Sequence, residues 1–391
     1  MEYILSLIVC VYCVIHFDIF ERRNNRKLAY RWLLIWFIVL SGFQYMVGID
    51  IVSYVKEYQT LNTNNLTWKD ITEYHVRYQP GWMLLCYICR FITSDYVLIK
   101  MIQAIFLNVA IFSFFKKHSQ YLFTSILLYA ISDYLVLNFN VMRHSFAIGF
   151  GLYAITAIIE SKWKKFALFT FLAYMFHNSA LLLLIFPIFK LFKSNKYSIS
   201  LVFVIFIAFV FAISKLDLTS LFQDLLMSNL MSEGIAQVGQ GYMSGERLGI
   251  RDEFAIFSLT RLLYISAVSF YIVKYRDPFF GIYGLVYVLI LILSGFLPIL
   301  WRYRLYVDFP FFIMLSKVII ELPANLRFPK TKRKFALYLL LYLVIFINVR
   351  DLFTKGKGEK YAAIDQYYPY HSIFDPKLNR EQIRYFELLE Q

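Results

Sequence analysis

"YLFTSILLYAISDYLVLNFNVMRHSFAIGFGLYAITAII", residues 121–159, decides how this chain folds. Two apolar runs meet at "FNVMRHSFAIGF" (139–150), where Asn140, Arg143 and His144 stand together. Similar runs recur at 29–47, 97–115, 198–214, 255–273 and 279–299. Each is about long enough to cross a ~30 Å hydrocarbon core as a helix. Hydrophobic residues make up 60% of the 391-residue chain and charged residues 17%, more apolar surface than one soluble core of this length could hide. The expected fold is therefore all-α, a polytopic integral membrane protein with about ten to eleven apolar segments, some short or re-entrant. The helical class follows because lipid leaves the edge of an open sheet unsatisfied.

Lysine and arginine cluster in short connectors: ERRNNRK (21–27), KK (116–117), ESKWKK (160–165), KLFKSNK (190–196) and RFPKTKRK (327–334). Cytoplasmic loops carry that bias, which accounts for the net charge of +14 without a nucleic-acid partner. The first apolar run reaches ERR at 21 with no small-residue cleavage site, so it is expected to stay in place as a membrane segment. The pattern predicts a transmembrane domain over 1–349, with outer loops near 48–78 and 215–254, and a tail over 350–391 on the outer side. "KFALFTFLAYMFHNSALLLLIFPIFKLFK" (165–193) is basic at both ends with His177 in its middle. That predicts two short helices meeting at His177, with one long tilted crossing as the alternative. Cys10/Cys13 and Cys86/Cys89 form two CxxC pairs inside apolar runs, too far apart for a zinc ribbon. They read as small buried hydrophobes, and no metal or other cofactor is expected.

Parity places Arg143, His144, His177, Arg302, Arg304 and Asp308 near the outer ends of helices. Any one of them alone reads as a side chain reaching for the headgroup layer. Several on one face of the membrane point to a wet, functional mouth. Guanidinium groups hold phosphate oxygens bidentately and stay charged at every physiological pH. They can also stabilise charge developing on a departing oxygen. Histidine adds a base or a donor. The residues thus point to a lipid-anchored anionic substrate at the outer face.

At these positions the chain resembles a known family. "NVMRHSFAIGFGLYAI", a basic "ESKWKK" and "FLAYMFHNSALLLL" follow one another as in the EpsG-like, Wzy-type polysaccharide polymerases, matched at Asn140, Arg143, Ala147, His177, Ser179 and Ala180. Upstream, "VGIDIVSYVKEY" is similar to the family's Gly-x-Asp-x-x-x-Tyr stretch through Gly48, Asp50 and Tyr54. Downstream, "WRYRLYVDF" resembles its late arginine, offered here by Arg302 or Arg304, and "YYPY" a feature of its tail. Two departures stand out: Gln79 where the family usually has glutamate, and His144 where glutamine commonly follows the arginine.

The resemblance implies a metal-independent, GT-C-like glycosyltransferase in the bacterial inner membrane. It would join undecaprenyl-diphosphate-linked oligosaccharides into O-antigen, capsule or exopolysaccharide, in contact with membrane lipids and with a chain-length regulator as a possible partner. Arg143, His177 and Asp50 are then the catalytic candidates. Arg302, Arg304, His144, Asn140, Tyr54 and Asn178 are the candidates for holding diphosphate or sugar. The rivals are a related glycan ligase, a membrane acyltransferase and a lipid-linked-oligosaccharide flippase. The acyltransferase reading finds only His371…Asp375 as a histidine–carboxylate pattern, and the flippase reading finds no internal repeat.

Overall fold

The first apolar run forms α1 (Glu2–Cys13), which loosens into a π-helical turn over Val14–Ile19. A basic turn leads into α2 (Arg26–Gly42), and α3 (Asp50–Thr60) follows. In α4 (Pro80–Ile92) proline takes the first turn, where its missing N–H is no loss. α5 (Val97–His118) carries Lys116 and Lys117 in its last turn, where positive charge suits the helix dipole. α6 (Leu122–Ser132) gives way to a π-helical turn, Val136–Asn140, before α7 (Met142–Ile159) and α8 (Trp163–Tyr174). A 3-10 helix, Asn178–Lys190, comes next. Then follow α9 (Leu259–Tyr275), α10 (Pro278–Leu293), α11 (Trp301–Arg304), α12 (Asp308–Asn325) and α13 (Lys330–Phe353).

This computed structural model describes residues 2–48, 50–61, 79–190, 200, 204, 208, 259–275, 277–294, 300–325, 329–354 and 362–377. The expected outer loop 215–254, most of the loop 48–78 and most of the span 198–214 lie outside them. Among the described residues there is no strand, and Gln44 and Ser372 form an isolated bridge. Three described segments are long and apolar enough to cross a bilayer: Glu2–Ile19, Val97–His118 and Met142–Ile159. Shorter apolar helices accompany them, at Pro80–Ile92, Leu122–Ser132, Asn178–Lys190 and Phe279–Leu293. The 165–193 stretch is broken at residues 175–177, as its two basic ends predict.

The chain divides into two compact units, Met1–Leu184 with Ile319–Gln391, and Ile185–Val318. In the first, α7 lies along both α8 and α5, α5 lies on α2, and α1 lies on α6. Gly149 makes the α5–α7 approach possible, since a Cβ there would run into the Phe106 ring. Asp18, buried beside the start of α6, accepts from the Thr124 backbone N–H at 2.7 Å and from its hydroxyl at 2.9 Å. At the far end of α7, Glu160 pairs with Lys117 and with Lys162 at 2.7 Å, and Lys117 first and Lys162 second hold its carboxyl down at about 2. In the second unit Asp277 caps α10 through the Phe279 N–H at 3.1 Å. There Tyr287 and Phe311 stack at 3.7 Å with rings 5° from parallel.

The break between α6 and α7 positions everything that follows. A π-helical turn between two apolar helices strands carbonyls, and buried protein donors must take them up. Gln103 donates to the Leu137 carbonyl at 3.0 Å, and the buried Lys100 amine donates to the Asn138 carbonyl and, at 2.8 Å, to Gln103. Three side chains close a ring beside them. Asn108 donates to Asn138 at 2.9 Å, Asn138 to Tyr129 at 2.7 Å, and Tyr129 back to Asn108 at 3.1 Å. Each member of such a ring polarises the next. The break is therefore supported at Leu137 and Asn138, just ahead of α7.

Candidate functional site

Arg143 stands in the first turn of α7, directly after that break, and is half-buried. Its Nη1 lies 3.5 Å from Gln79 Oε1, and its guanidinium carbon sits 5.9 Å from the centre of the Tyr54 ring. Tyr54 in turn meets Trp82 edge-on at 5.5 Å. Gln79 and Tyr54 orient the cation by an amide oxygen and a ring face, neither of which brings a formal charge. A glutamate at 79 would set a negative charge against the guanidinium, so the departure from the family pattern bears directly on the electrostatics here. Beside Tyr54, the side chains of Glu57, Tyr58, Leu61, Trp82, Met83 and Cys86 line a half-open recess of about 20 Å³, room for one water.

The second break brings the histidines in. Gly81, in the first turn of α4, donates its N–H to the Met175 carbonyl at 2.8 Å, and a Cβ on it would stand 2.7 Å from that same oxygen. A glycine is thus required for α4 to seat against the turn after α8, which holds Gln79 and His177 in one neighbourhood. The buried His144 ring stacks on His177, centres 4.4 Å apart and 16° from parallel. Ser179 joins them: its Oγ is 2.6 Å from His177 Nδ1 and 3.1 Å from His144 Nε2, and its backbone N–H donates to His177 Nδ1 at 3.2 Å. Asn178, between them, is exposed.

Asn140 faces the other way, toward the tail. Its Nδ2 donates to the Tyr367 hydroxyl at 2.8 Å and to Gln366 Oε1 at 3.2 Å. Gly48 lies against it with φ +97°, and a Cβ there would strike Asn140 Oδ1 and come 2.5 Å from the Phe139 carbonyl oxygen. Asp50 is exposed in the first turn of α3, with Tyr54 one turn further along the same face. Burial, and after it the Asp50 carboxylate, pushes the Tyr367 phenol above its ordinary pKa. The tail continues across the ends of α1 and α2: Tyr3 donates to the Tyr367 carbonyl at 3.0 Å, and Tyr370 to the Leu40 carbonyl at 3.0 Å.

Arg302 and Arg304 belong to the second unit, on the single-turn α11. Arg304 Nε lies 3.3 Å from Asp308, which is 1% exposed, and its guanidinium is 6.0 Å from the Tyr287 ring centre. Arg302 lies 5.9 Å from the ring of its neighbour Trp301. Arg304 thus has a buried carboxylate partner. Among the described residues no group of three or more His, Cys, Asp or Glu side chains could hold a metal ion. All four cysteines are buried and unbonded.

These positions fall inside a match to a family model described as the EpsG family, over residues 27–372. The chain belongs to the EpsG family. Its members are Wzy-like polysaccharide polymerases, so at family level this is a membrane-embedded, glycosyltransferase-like polymerase acting on lipid-linked oligosaccharide. No curated protein and no solved structure matches the chain.

For an EpsG-family member, the sequence motifs located the right two breaks, and the structure supplies their neighbours. Arg143, His144, His177 and Tyr54 share one neighbourhood in the first unit. Asn140 and Asp50 lie next to it, against the tail. Tyr367 opens the YYPY stretch already matched in the tail, but its link and that of Gln366 to Asn140 span more than two hundred residues and leave no mark in local sequence. Lys100 was passed over, though a lysine inside the apolar run 97–115 was a visible signal. Ser179 was matched as part of a motif, but its bridging of two histidines has no mark in local sequence.

Proposed function

We propose that this EpsG-family protein joins undecaprenyl-diphosphate-linked oligosaccharide repeat units at the outer face of the bacterial cytoplasmic membrane. The acceptor hydroxyl oxygen attacks the anomeric carbon of the growing chain. The bond from that carbon to the lipid diphosphate breaks, its electron pair leaves on the diphosphate oxygen, and the hydroxyl proton passes to a base. The observation that supports this reading is Arg143, a guanidinium oriented by Gln79 and Tyr54 at a supported break between apolar helices. A cation built into such a position serves an anion that arrives with lipid.

In this reading Arg143 holds the donor diphosphate, and the role of the family's late arginine falls to Arg302 or Arg304. His144 and Asn140 shape the neighbourhood, Tyr54 and Asn178 contact sugar, and His177 or Asp50 handles the acceptor hydroxyl. A GT-C-like architecture, independence of metal and a chain-length regulator as partner belong to the same proposal. The product is a surface polysaccharide of the O-antigen, capsule or exopolysaccharide kind.

The test is Arg143→Ala in the native strain. Polymer is expected to vanish while single-repeat lipid intermediates accumulate, and Arg143→Lys restores only part, because an ammonium cannot grip two oxygens as a planar fork does. Long chains surviving in Arg143→Ala would refute the assignment. Incubating purified protein with lipid-linked repeat units alone separates the rivals: a ladder of lengths marks a polymerase, transfer to another acceptor a ligase, and no chemistry a transporter.

A further inference from the structure

The hydrogen bonds around Ser179 fix which nitrogen of His177 carries the proton, and with it what that residue can do. A backbone N–H can only donate, so the Ser179 N–H at 3.2 Å makes His177 Nδ1 an acceptor. The Ser179 hydroxyl, 2.6 Å from the same nitrogen, then has no hydrogen to accept from it and shares that nitrogen's single lone pair as the second, shorter donor. With its hydrogen spent, Ser179 Oγ accepts from His144 Nε2 at 3.1 Å. The polarity of the whole chain follows: His144 Nε2–H to Ser179 O–H to His177 Nδ1. A neutral imidazole whose Nδ1 accepts must hold its proton on Nε2. The stacking of the two rings at 4.4 Å acts in the same sense, since two imidazolium charges face to face would repel.

From this polarity we infer that His177 is a fixed Nε2–H hydrogen-bond donor to the departing diphosphate rather than the base that takes the acceptor's proton, with Ser179 as the positioning residue that holds the tautomer. For Nε2 to act as a base its lone pair would have to be free, which requires the proton on Nδ1, pointed at the Ser179 N–H. A donor in this place stabilises the charge that builds on the diphosphate oxygen as the glycosyl bond breaks. The acceptor's proton then goes to a carboxylate, and of the two candidates proposed for that step Asp50, in the first turn of α3, is the one left. The inference rests on the polymerase reading for the identity of the anion. The tautomer itself does not depend on that reading.

Two measurements on the full-length protein test it. The chain has six histidines, so nitrogen-15 histidine labelling of protein in lipid gives few signals, and His177→Gln identifies the one that matters. The expected spectrum shows an unprotonated Nδ1 and a protonated Nε2 at His177, and a protonated Nδ1 overturns the inference. In membranes of the native strain, carrying its own lipid-linked repeat units, His177→Ala is expected to slow ladder formation by roughly 100–1000-fold, the usual effect of removing one such donor. His177→Gln keeps an amide donor near the Nε2 position, so it is expected to recover most of that loss and to keep the acidic limb of the wild-type pH profile. A glutamine variant no better than alanine, or one lacking that limb, identifies a base and overturns the inference. If wild-type membranes form no ladder, the polymerase reading fails while the nitrogen spectrum still decides the tautomer.

Discussion

Asn140 and Gly48 show how little freedom the residues around Arg143 have. Asn140 gives both hydrogens of its amide to the tail, and Gly48 reaches it with a backbone that L side chains rarely adopt. Gly48→Ala adds strain at positive φ and pushes Asn140 off Tyr367. It is expected to lower stability by about 1–3 kcal/mol, read as a lower unfolding midpoint of the detergent-purified protein, and to shorten the polymer. An alanine variant as stable and as active as wild type would mean that this contact does not hold the turn. At the same scale, Gln79 shows why a departure from a family pattern needs coordinates to interpret. As a sequence letter it removes a candidate base. As a neighbour it is the amide that orients Arg143.

Between elements, the decisive feature is the π-helical turn before α7. The helix axis breaks there, the stranded carbonyls of Leu137 and Asn138 draw on Gln103 and Lys100, and α7 restarts with Arg143 in its first turn. Ser145 adds a further donor to the Leu137 carbonyl from within α7. Lys100→Met keeps much of the side chain's volume and removes the donor. It leaves the Asn138 carbonyl and the Gln103 oxygen short of one hydrogen bond each, and the expected loss is roughly 1–3 kcal/mol. The unfolding midpoint checks the stability, and the polymer ladder checks whether Arg143 has lost its aim. If both stay at wild-type values, the turn is held by the asparagine–tyrosine ring alone. The second break, at 175–177, works by the same logic: Gly81 lets α4 close against it, and Ser179 locks the histidine that the break exposes.

For the molecule as a whole, the tail is part of the first unit. Its 3-10 turn, Ala363–Gln366, and the residues after it pair with the chain beyond α2: Gln366 O accepts from Gly48 N at 3.1 Å, His371 O from Tyr45 N at 2.9 Å, and Phe43 O from Ile373 N at 2.9 Å. The tail therefore lies at the Asn140 end of α7, opposite the Lys117–Glu160–Lys162 cluster. The basic connectors predict that the cluster faces the cytoplasm, which would leave the tail outside. Because the four native cysteines are buried, introduced ones report cleanly. Lys377→Cys is expected to react with a membrane-impermeant maleimide on intact cells, and Lys164→Cys only after permeabilisation. The opposite labelling would invert the topology and move the reaction to the cytoplasmic face.

Everything that depends on local composition against a film of lipid was legible in the letters alone. Helical class, the basic connectors and the breaks at Asn140 and His177 were all readable from runs of apolar residues and their interruptions. The family followed from five short motifs in order. The partners came from the fold: Gln79 and Tyr54 for Arg143, Ser179 for two histidines, Lys100 for a broken turn, Tyr367 for Asn140. Hydrophobic periodicity records which face of a helix is buried and leaves open which distant side chain meets it. A proton's place on an imidazole is set by such a meeting, so the chemistry of His177 became legible only with the fold.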